Sequence, residues 1–151
     1  MCSCFWIGLV LTAPLGAGRS PDVERESKRL QGKWTQVSVE ADGKVVADKA
    51  DPPKVTVTVD ADRWTERATG AGADEVATIR LDPAKDPRHI DLTYPGEKAL
   101  PGLYRLEGDT LTVALPFPFE GDASKVGVRP TGFRTRPGDP FVVIVYKRMT
   151  P

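Results

Sequence analysis

The single histidine of this sequence, His89, lies in a segment whose residues alternate like those of a β-strand. Because alternate strand residues share a face, its imidazole would lie beside the Asp91 carboxylate, like a general base beside its orienting acid. The chain has no Gly-x-Ser-x-Gly turn around Ser38 or Ser124 to supply a nucleophile, and no second imidazole to complete a metal site. We therefore expect an exposed polar strand face at His89, no catalytic residue and no enzymatic activity.

Two pairs of acidic residues have the spacing of candidate carboxylate sites. Asp60 lies two residues before Asp62, and Glu107 lies two residues before Asp109. Both pairs fall in predicted turns, where an acidic side chain mainly hydrogen-bonds its own backbone. The sequence therefore predicts neither glycosidase chemistry nor calcium binding, and no other metal site.

A basic stretch without acidic residues could contact an anionic polymer at the cell surface. It contains Lys125, Arg129, Arg134 and Arg136. The whole chain, however, has 21 basic and 21 acidic side chains, so it carries no net field that would attract a polyanion. We expect no nucleic acid among its partners.

The sequence predicts no cofactor. Gly70 and Gly72 lack the strand–glycine–helix context of a phosphate-binding loop. Both cysteines, Cys2 and Cys4, lie at the extreme N-terminus, so the remaining chain has neither an internal disulfide nor a thiolate zinc site. Its stability must come from packing.

The length and composition indicate one all-β domain. The 151 residues suffice for a single hydrophobic core. Glycine and proline each occur 14 times, a density that favours many short strands joined by turns over long helices.

Residues 1–17 are predicted to form a signal peptide. The stretch from Cys4 to Ala17 is uncharged and largely apolar, and it is too short to span a membrane. The small residues Gly16, Ala17 and Gly18 precede the first charge and indicate cleavage before Gly18. The prediction is export to the periplasm, the cell envelope or the medium. The alternative is a short apolar tail packed on the domain, which spans residues 18–151.

A short helix is expected directly after this leader. Ser20 is suited to cap it, Pro21 to the first helical position, and Asp22 to the positive end of the helix dipole. Gly32 is expected to end the helix. Val23 and Leu30 offer its only apolar stripe, so we expect it to dock by one edge.

From Gly32 onward, alternating patterns and turn signals recur about every dozen residues, as an up-and-down meander requires. The clearest alternation is Val55, Val57 and Val59 with threonines between them. Strands are predicted over residues 33–39, 44–46, 55–59, 63–68, 75–81, 88–94, 103–106, 110–115, 131–136 and 141–148. The prediction is an antiparallel β-barrel built from about eight of these ten segments.

The last predicted strand is apolar on both faces from Phe141 to Tyr146. A strand exposed on one face would alternate, so another part of the molecule must cover its outer side. The N-terminal helix and a partner chain are the two candidates, and cover from within the chain is favoured.

Several short segments, in order along the chain, resemble an uncharacterised lipocalin-like domain family best known from planctomycete bacteria. They include the Gly-x-Trp at Gly32 and Trp34, the Gly-Asp-Thr-Leu turn that begins at Gly108, and the Arg-Pro-Thr-x-Phe that ends at Phe133. The remaining segments are residues 40–44, 89–92 and 145–148. The resemblance covers nearly everything from Leu30 to Arg148.

The resemblance implies a lipocalin-like barrel in an exported protein without an established activity. It implies that Trp34 plugs one end of the barrel and that Arg148, on the last strand, stacks over it. One position departs from the family, because Ala114 stands where a cysteine is common, and this excludes a thiol role there.

Two functions follow from these expectations. The first is a binding module that admits a small apolar or amphipathic ligand, held by Trp34, Trp64, Tyr104, Phe133 and Arg148. The second is a structural or protein-interaction domain of the cell envelope, whose barrel is filled by its own side chains and whose loop at residues 116–119 contacts a protein partner of unknown identity. An eight-stranded barrel is compatible with either function.

Overall fold

The computed structural model describes residues 19–47, 55–117 and 127–150. The predicted signal peptide, Lys125 and the second half of the loop at residues 116–119 lie outside this range. The elements in chain order are α1 (Pro21–Leu30), β1 (Gly32–Ala41), β2 (Lys44–Ala47), β3 (Val55–Asp60), β4 (Arg63–Ala68), β5 (Glu75–Asp82), β6 (Arg88–Thr93), β7 (Leu100–Glu107), β8 (Thr110–Pro116) and β9 (Phe141–Arg148).

The sheet closes into an antiparallel barrel of eight strands. Strands β3 to β9 pair in sequence order, and β1 closes the ring by pairing with β3 through residues 32–35 and with β9 through residues 34–41. Strand β2 is an additional hairpin arm on the far half of β1. The predicted lipocalin-like all-β barrel with a short N-terminal helix is therefore confirmed. No helix among the described residues is long and apolar enough to cross a bilayer.

Alternation along the strands places one face of each strand in a common core. Val57 and Val59 of β3 are buried. Their direct cross-strand partners on β4 are Glu66 and Trp64, respectively. β-Branched side chains suit this pleated surface because their rotamers are already restricted. The buried residues of this core are Leu30, Trp34, Val57, Val59, Trp64, Ala77, Ile79, Ile90, Leu92, Tyr104, Leu106, Leu111, Val113, Leu115 and Tyr146.

Helix α1 begins as predicted. The Ser20 hydroxyl accepts a hydrogen bond from the Val23 amide, and Pro21 occupies the first turn. The helix ends at Leu30, one residue before its cap at Gln31. Leu30 is buried, whereas Val23 is only half-buried, so the C-terminal half of the helix makes the closer contact with the barrel.

The prediction of a strand over residues 131–136 is wrong. This segment has no strand pairing and lies on the outer face of the barrel, where Phe133 packs against Leu103, Ala114, Phe141 and Val143. The outer side of β9 is therefore covered from within the chain, but by this segment and not by helix α1. An alternating pattern does not show whether a neighbouring strand has a free hydrogen-bonding edge. Because β8 and β1 already pair with the two edges of β9, residues 131–136 cannot pair with β9 as a further strand.

Candidate functional site

The two ends of the barrel differ, and α1 lies across one of them, hereafter the helix end. There the indole nitrogen of Trp34 donates to the Leu30 carbonyl at 2.9 Å, and the ring is fully buried. Gly32 begins β1 with a φ of 120°, and a Cβ at this position would lie 3.0 Å from Nη1 of Arg148. The glycine of the Gly-x-Trp motif thus lets Arg148 approach the tryptophan.

A buried carboxylate from the helix completes this closure. Glu26 accepts hydrogen bonds from Arg88 at 2.9 Å and from the Tyr104 hydroxyl at 3.3 Å, and it also pairs with Arg29. Burial, and then the negative charge of Glu26, raise the pKa of Tyr104 well above its usual value. The phenol therefore stays protonated and donates to the carboxylate, which binds α1 to β6 and β7.

The opposite end, hereafter the distal end, is formed by the starts of β3, β5, β7 and β9. The partly buried apolar side chains that pack against the core there include Val55, Tyr94 and Ile144. The next inward residues, Val57 and Tyr146, are fully buried. Among the described residues, the inward face of the sheet is thus less completely buried at the distal end, and this part of the barrel is called the distal mouth below.

The floor of this mouth is aromatic. Trp64 and Tyr146 meet edge to face, with ring centroids 5.9 Å apart and planes at 82°. The exposed fraction is 0% for Trp64 and 1% for Tyr146, so both rings are closed off from solvent. Such a pair contributes on the order of 1 kcal/mol beyond the area that it buries.

Two acidic side chains share the inward face there, Glu66 on β4 and Glu75, its direct partner on β5. Glu66 follows Trp64 by two residues and accepts hydrogen bonds from its indole nitrogen at 2.9 Å and from the Tyr94 hydroxyl at 3.4 Å. Burial raises the pKa of Glu66, and so does Glu75, which lies directly opposite on β5; the bonds from Trp64 and Tyr94 lower the pKa in part. This end of the barrel therefore combines half-buried apolar side chains with the Glu66 carboxylate, which accepts hydrogen bonds, and with the exposed Glu75 carboxylate beside it.

The structure separates the five predicted ligand-binding residues. Trp34, Tyr104 and Arg148 lie at the helix end, and Trp64 lies at the floor of the distal mouth. The prediction that Phe133 points inward is wrong. It lies outside the barrel, with the Arg105 guanidinium 5.0 Å from its ring centroid, because its segment lies over the sheet instead of joining it.

The histidine and the acidic residues considered as candidate catalytic or metal-binding groups lie on the outer face of the barrel or in ion pairs. His89 is half-buried on the outer face, where burial and the positive charge of Arg129 lower its pKa. Asp91 forms an ion pair with Arg129 at 2.8 Å. In the first acidic pair Asp62 forms an ion pair with Arg19, and in the second Glu107 pairs with Arg105 and Asp109 with Arg148. Within the described ranges, no three His, Cys, Asp or Glu side chains form a metal-binding group.

Sequence reasoning missed both inward carboxylates. Glu66 alternates with Trp64, so once the tryptophan is placed inside, the strand period places the glutamate inside as well. Glu26 lies three residues after Val23 and four before Leu30, on the same face of the helix. In both cases the residue spacing would have predicted that the carboxylate faces the core.

Comparisons with protein-family models, with curated proteins and with solved structures find no match. A function for this chain is therefore inferred from the chemistry of the barrel ends. The distal mouth can hold an apolar group against Val55, Tyr94 and Ile144 and accept a hydrogen bond at Glu66.

Proposed function

We propose that this chain is an exported lipocalin-like domain that binds a small amphipathic ligand in its distal mouth and has no catalytic role. The membership in the lipocalin-like family of planctomycete type is part of the same proposal. It is supported by the closed barrel and by the stacking of Arg148 on Trp34.

The observation that carries the proposal is the contrast between the two ends. Leu30, Trp34 and Glu26 are buried at the helix end, where α1 lies across the barrel. At the distal end, inward apolar side chains stay half-exposed above a closed aromatic floor. Apolar walls with a few convergent polar groups are typical of small-molecule sites.

The chemistry of the mouth favours a ligand with an apolar body and a hydrogen-bond donor. An apolar body would cover Val55 and Ile144, and each 100 Å² of apolar surface so buried would contribute about 2.5 kcal/mol before the costs of association. A donor group would reach the Glu66 carboxylate, which has further lone pairs beyond the bonds from Trp64 and Tyr94.

The first experiment tests export and ligand together. The full precursor is produced in a Gram-negative host, and the periplasmic fraction is purified and measured by native mass spectrometry. We expect a chain that begins at Gly18 and carries a reproducible adduct of a few hundred daltons. An unprocessed chain in the cytoplasm would contradict export.

A second experiment locates the site with the uncharged fluorescent amine N-phenyl-1-naphthylamine. We expect saturable binding that Val55→Trp, which fills the mouth, abolishes. Val45→Trp is the matched control, because Val45 is 58% exposed on β2, outside the barrel. Equal binding by the two variants would contradict the distal mouth as the site.

The second function, a structural or protein-interaction domain, is favoured by the filled middle of the barrel. Trp34, Trp64, Tyr104 and Tyr146 are all nearly or fully buried in one core. If neither an adduct nor probe binding is found, this function replaces the first. The envelope partner would then be sought by crosslinking in the native host.

A further inference from the structure

Residues 127–139, hereafter the cover segment, cross the outer face of the barrel without joining the sheet. In the middle of the segment, Phe133 packs over β7, β8 and β9. On the side of β1, the Thr135 amide and hydroxyl donate to the Glu40 carboxylate at 2.6 and 3.0 Å. The cover segment is thus held by side-chain contacts, and opening these contacts would leave the strand pairing of the barrel intact.

Arg129 anchors the other side of the cover segment. Its guanidinium donates to the Asp91 carboxylate of β6 at 2.8 Å and to the Gly102 carbonyl of β7 at 2.5 Å. The side chains of Arg129 and Asp91 are each 26% exposed, so water screens this ion pair less than a fully exposed one. Between the described residues, it is the only ion pair that the cover segment makes.

The only histidine of the chain lies next to this anchor. His89 shares the outer face of β6 with Asp91, because the two residues alternate along the strand. Its direct cross-strand partner on β7 is Leu103, which belongs to the apolar cluster under Phe133. The imidazole therefore borders both the ion pair of Arg129 and the apolar contacts of the cover segment.

Docking of Arg129 and protonation of His89 oppose each other. The charged groups of the described residues around His89 and Asp91 are Arg80 and Asp82 of β5, Lys85 of the following turn, and Arg129. Burial, and then the positive charge of Arg129, lower the pKa of His89, while Asp82 and Asp91 raise it in part. By linkage, an imidazolium that the docked guanidinium disfavours must disfavour the docked guanidinium to the same degree. The neutral imidazole therefore favours the docked state, and this contribution is lost as the pH falls below 6.5, the ordinary value for histidine.

We propose that His89 and Arg129 form a pH-sensitive latch, in which protonation of the imidazole loosens Arg129 from Asp91 and lets the cover segment open at mildly acidic pH. Opening uncovers the apolar outer face formed by Leu103, Ala114, Phe141 and Val143. The latch is independent of the distal mouth and of any ligand there. It brings together two features of the sequence that otherwise have no role, the His-Asp pair and the basic stretch.

The first test is an NMR titration of the His89 imidazole in the mature chain, produced without a histidine tag. We expect Arg129→Gln to raise the pKa of His89, because the variant removes a neighbouring positive charge. Arg134→Gln makes the same charge change on an exposed residue of the cover segment and should leave this pKa unchanged. Equal pKa values for His89 in the wild type and in Arg129→Gln would overturn the proposal.

The second test follows opening of the cover segment by hydrogen exchange at the Thr135 amide, which donates to Glu40. After correction for the intrinsic exchange rate, we expect the opening constant to rise about threefold between pH 7.5 and pH 5.5, as for a charge added beside one partly exposed ion pair. His89→Gln cannot become charged and should abolish this rise. No rise in the wild type, or an equal rise in His89→Gln, would overturn the proposal.

An internal control separates local opening from a general loss of stability. The indole N–H of Trp34 donates to the Leu30 carbonyl at the helix end, and we expect its opening constant to stay the same over this pH range. A rise at Trp34 equal to the rise at Thr135 would contradict a local latch. Far-ultraviolet circular dichroism shows whether His89→Gln keeps its fold, and the comparison of Arg129→Gln with Arg134→Gln tests the latch independently if it does not.

Discussion

The guanidinium carbon of Arg148 lies 4.1 Å from the centroid of the Trp34 ring. The same guanidinium donates to the carbonyls of Gln31 and Arg29 at 2.6 and 2.7 Å. One side chain from the last strand therefore covers the plug of the first strand and satisfies carbonyls at the end of α1, which otherwise lack partners. Closure of the barrel and docking of the helix are thus coupled at a single residue.

Substitutions at Arg148 should measure how strongly barrel closure and docking of α1 are coupled. Arg148→Ala removes the cation–π contact and two charge-assisted hydrogen bonds, and we expect the free energy of unfolding to fall by about 2 to 3 kcal/mol. Arg148→Lys should recover less than half, because an ammonium cannot span both carbonyls while stacking on the ring. Urea denaturation measures both variants against Arg134→Ala. If Arg148→Ala lowers the free energy of unfolding no more than the control Arg134→Ala does, this account is contradicted.

The Glu26 carboxylate should be coupled energetically to the Tyr104 hydroxyl. Glu26→Gln keeps the shape but removes the charge, and we expect a loss of about 1 to 2 kcal/mol, since Arg29 and Arg88 are exposed enough to be rehydrated. Tyr104→Phe should cost about 1 kcal/mol alone and less in the Glu26→Gln background. A double-mutant cycle with strictly additive losses would show that the 3.3 Å contact contributes nothing.

Stability near the distal mouth should depend on pH through Glu66. Its pKa is raised in the folded state, so the protonated form is favoured by folding, and the contribution of this group is lost as the pH rises above its ordinary value of 4.5. Glu66→Gln keeps an acceptor for Trp64 but cannot ionise. Relative to wild type, it should gain stability progressively between acidic and neutral pH.

Urea unfolding at several pH values measures this difference. Glu75→Gln is the informative companion, because it removes the nearby negative charge and should reduce the pH dependence without abolishing it. If the wild type and Glu66→Gln differ by the same free energy at every pH, Glu66 does not titrate with a raised pKa.

Gly102 should not tolerate a side chain. A Cβ there would lie 2.6 Å from Cδ2 of Leu115 and 2.7 Å from the Ala114 carbonyl oxygen. Gly102→Ala therefore forces β7 away from β8, and we expect a loss of about 2 to 3 kcal/mol. Gly132→Ala is the matched control, since among the described residues no heavy atom beyond its chain neighbours lies within 4 Å of its Cβ position, and it should change stability by less than about 0.5 kcal/mol. Thermal unfolding compares the two, and similar melting temperatures would contradict the prediction.

The sequence by itself determined the elements and most of their faces. The observed bounds of β4 and β9 match the predicted ones. The Ser20 cap and the Gly-x-Trp motif at Gly32 and Trp34 could also be identified from the sequence alone. These features depend on local properties, namely strand alternation, capping and the φ of a glycine, which neighbouring residues impose. The stacking of Arg148 on Trp34 was available only through the family resemblance.

Only the tertiary structure decided which groups meet across the chain. Glu26 is 62 residues from Arg88 and 78 from Tyr104, so its burial depends on partners that no local pattern identifies. Residues 131–136 alternate like a strand, but β8 and β1 occupy both edges of β9, and the segment lies over the sheet with Phe133 as an outer cover. Alternation fixes the two faces of a segment, whereas closure of the sheet fixes which face is inside and which edges remain free, because hydrogen-bonding edges are a property of the whole sheet.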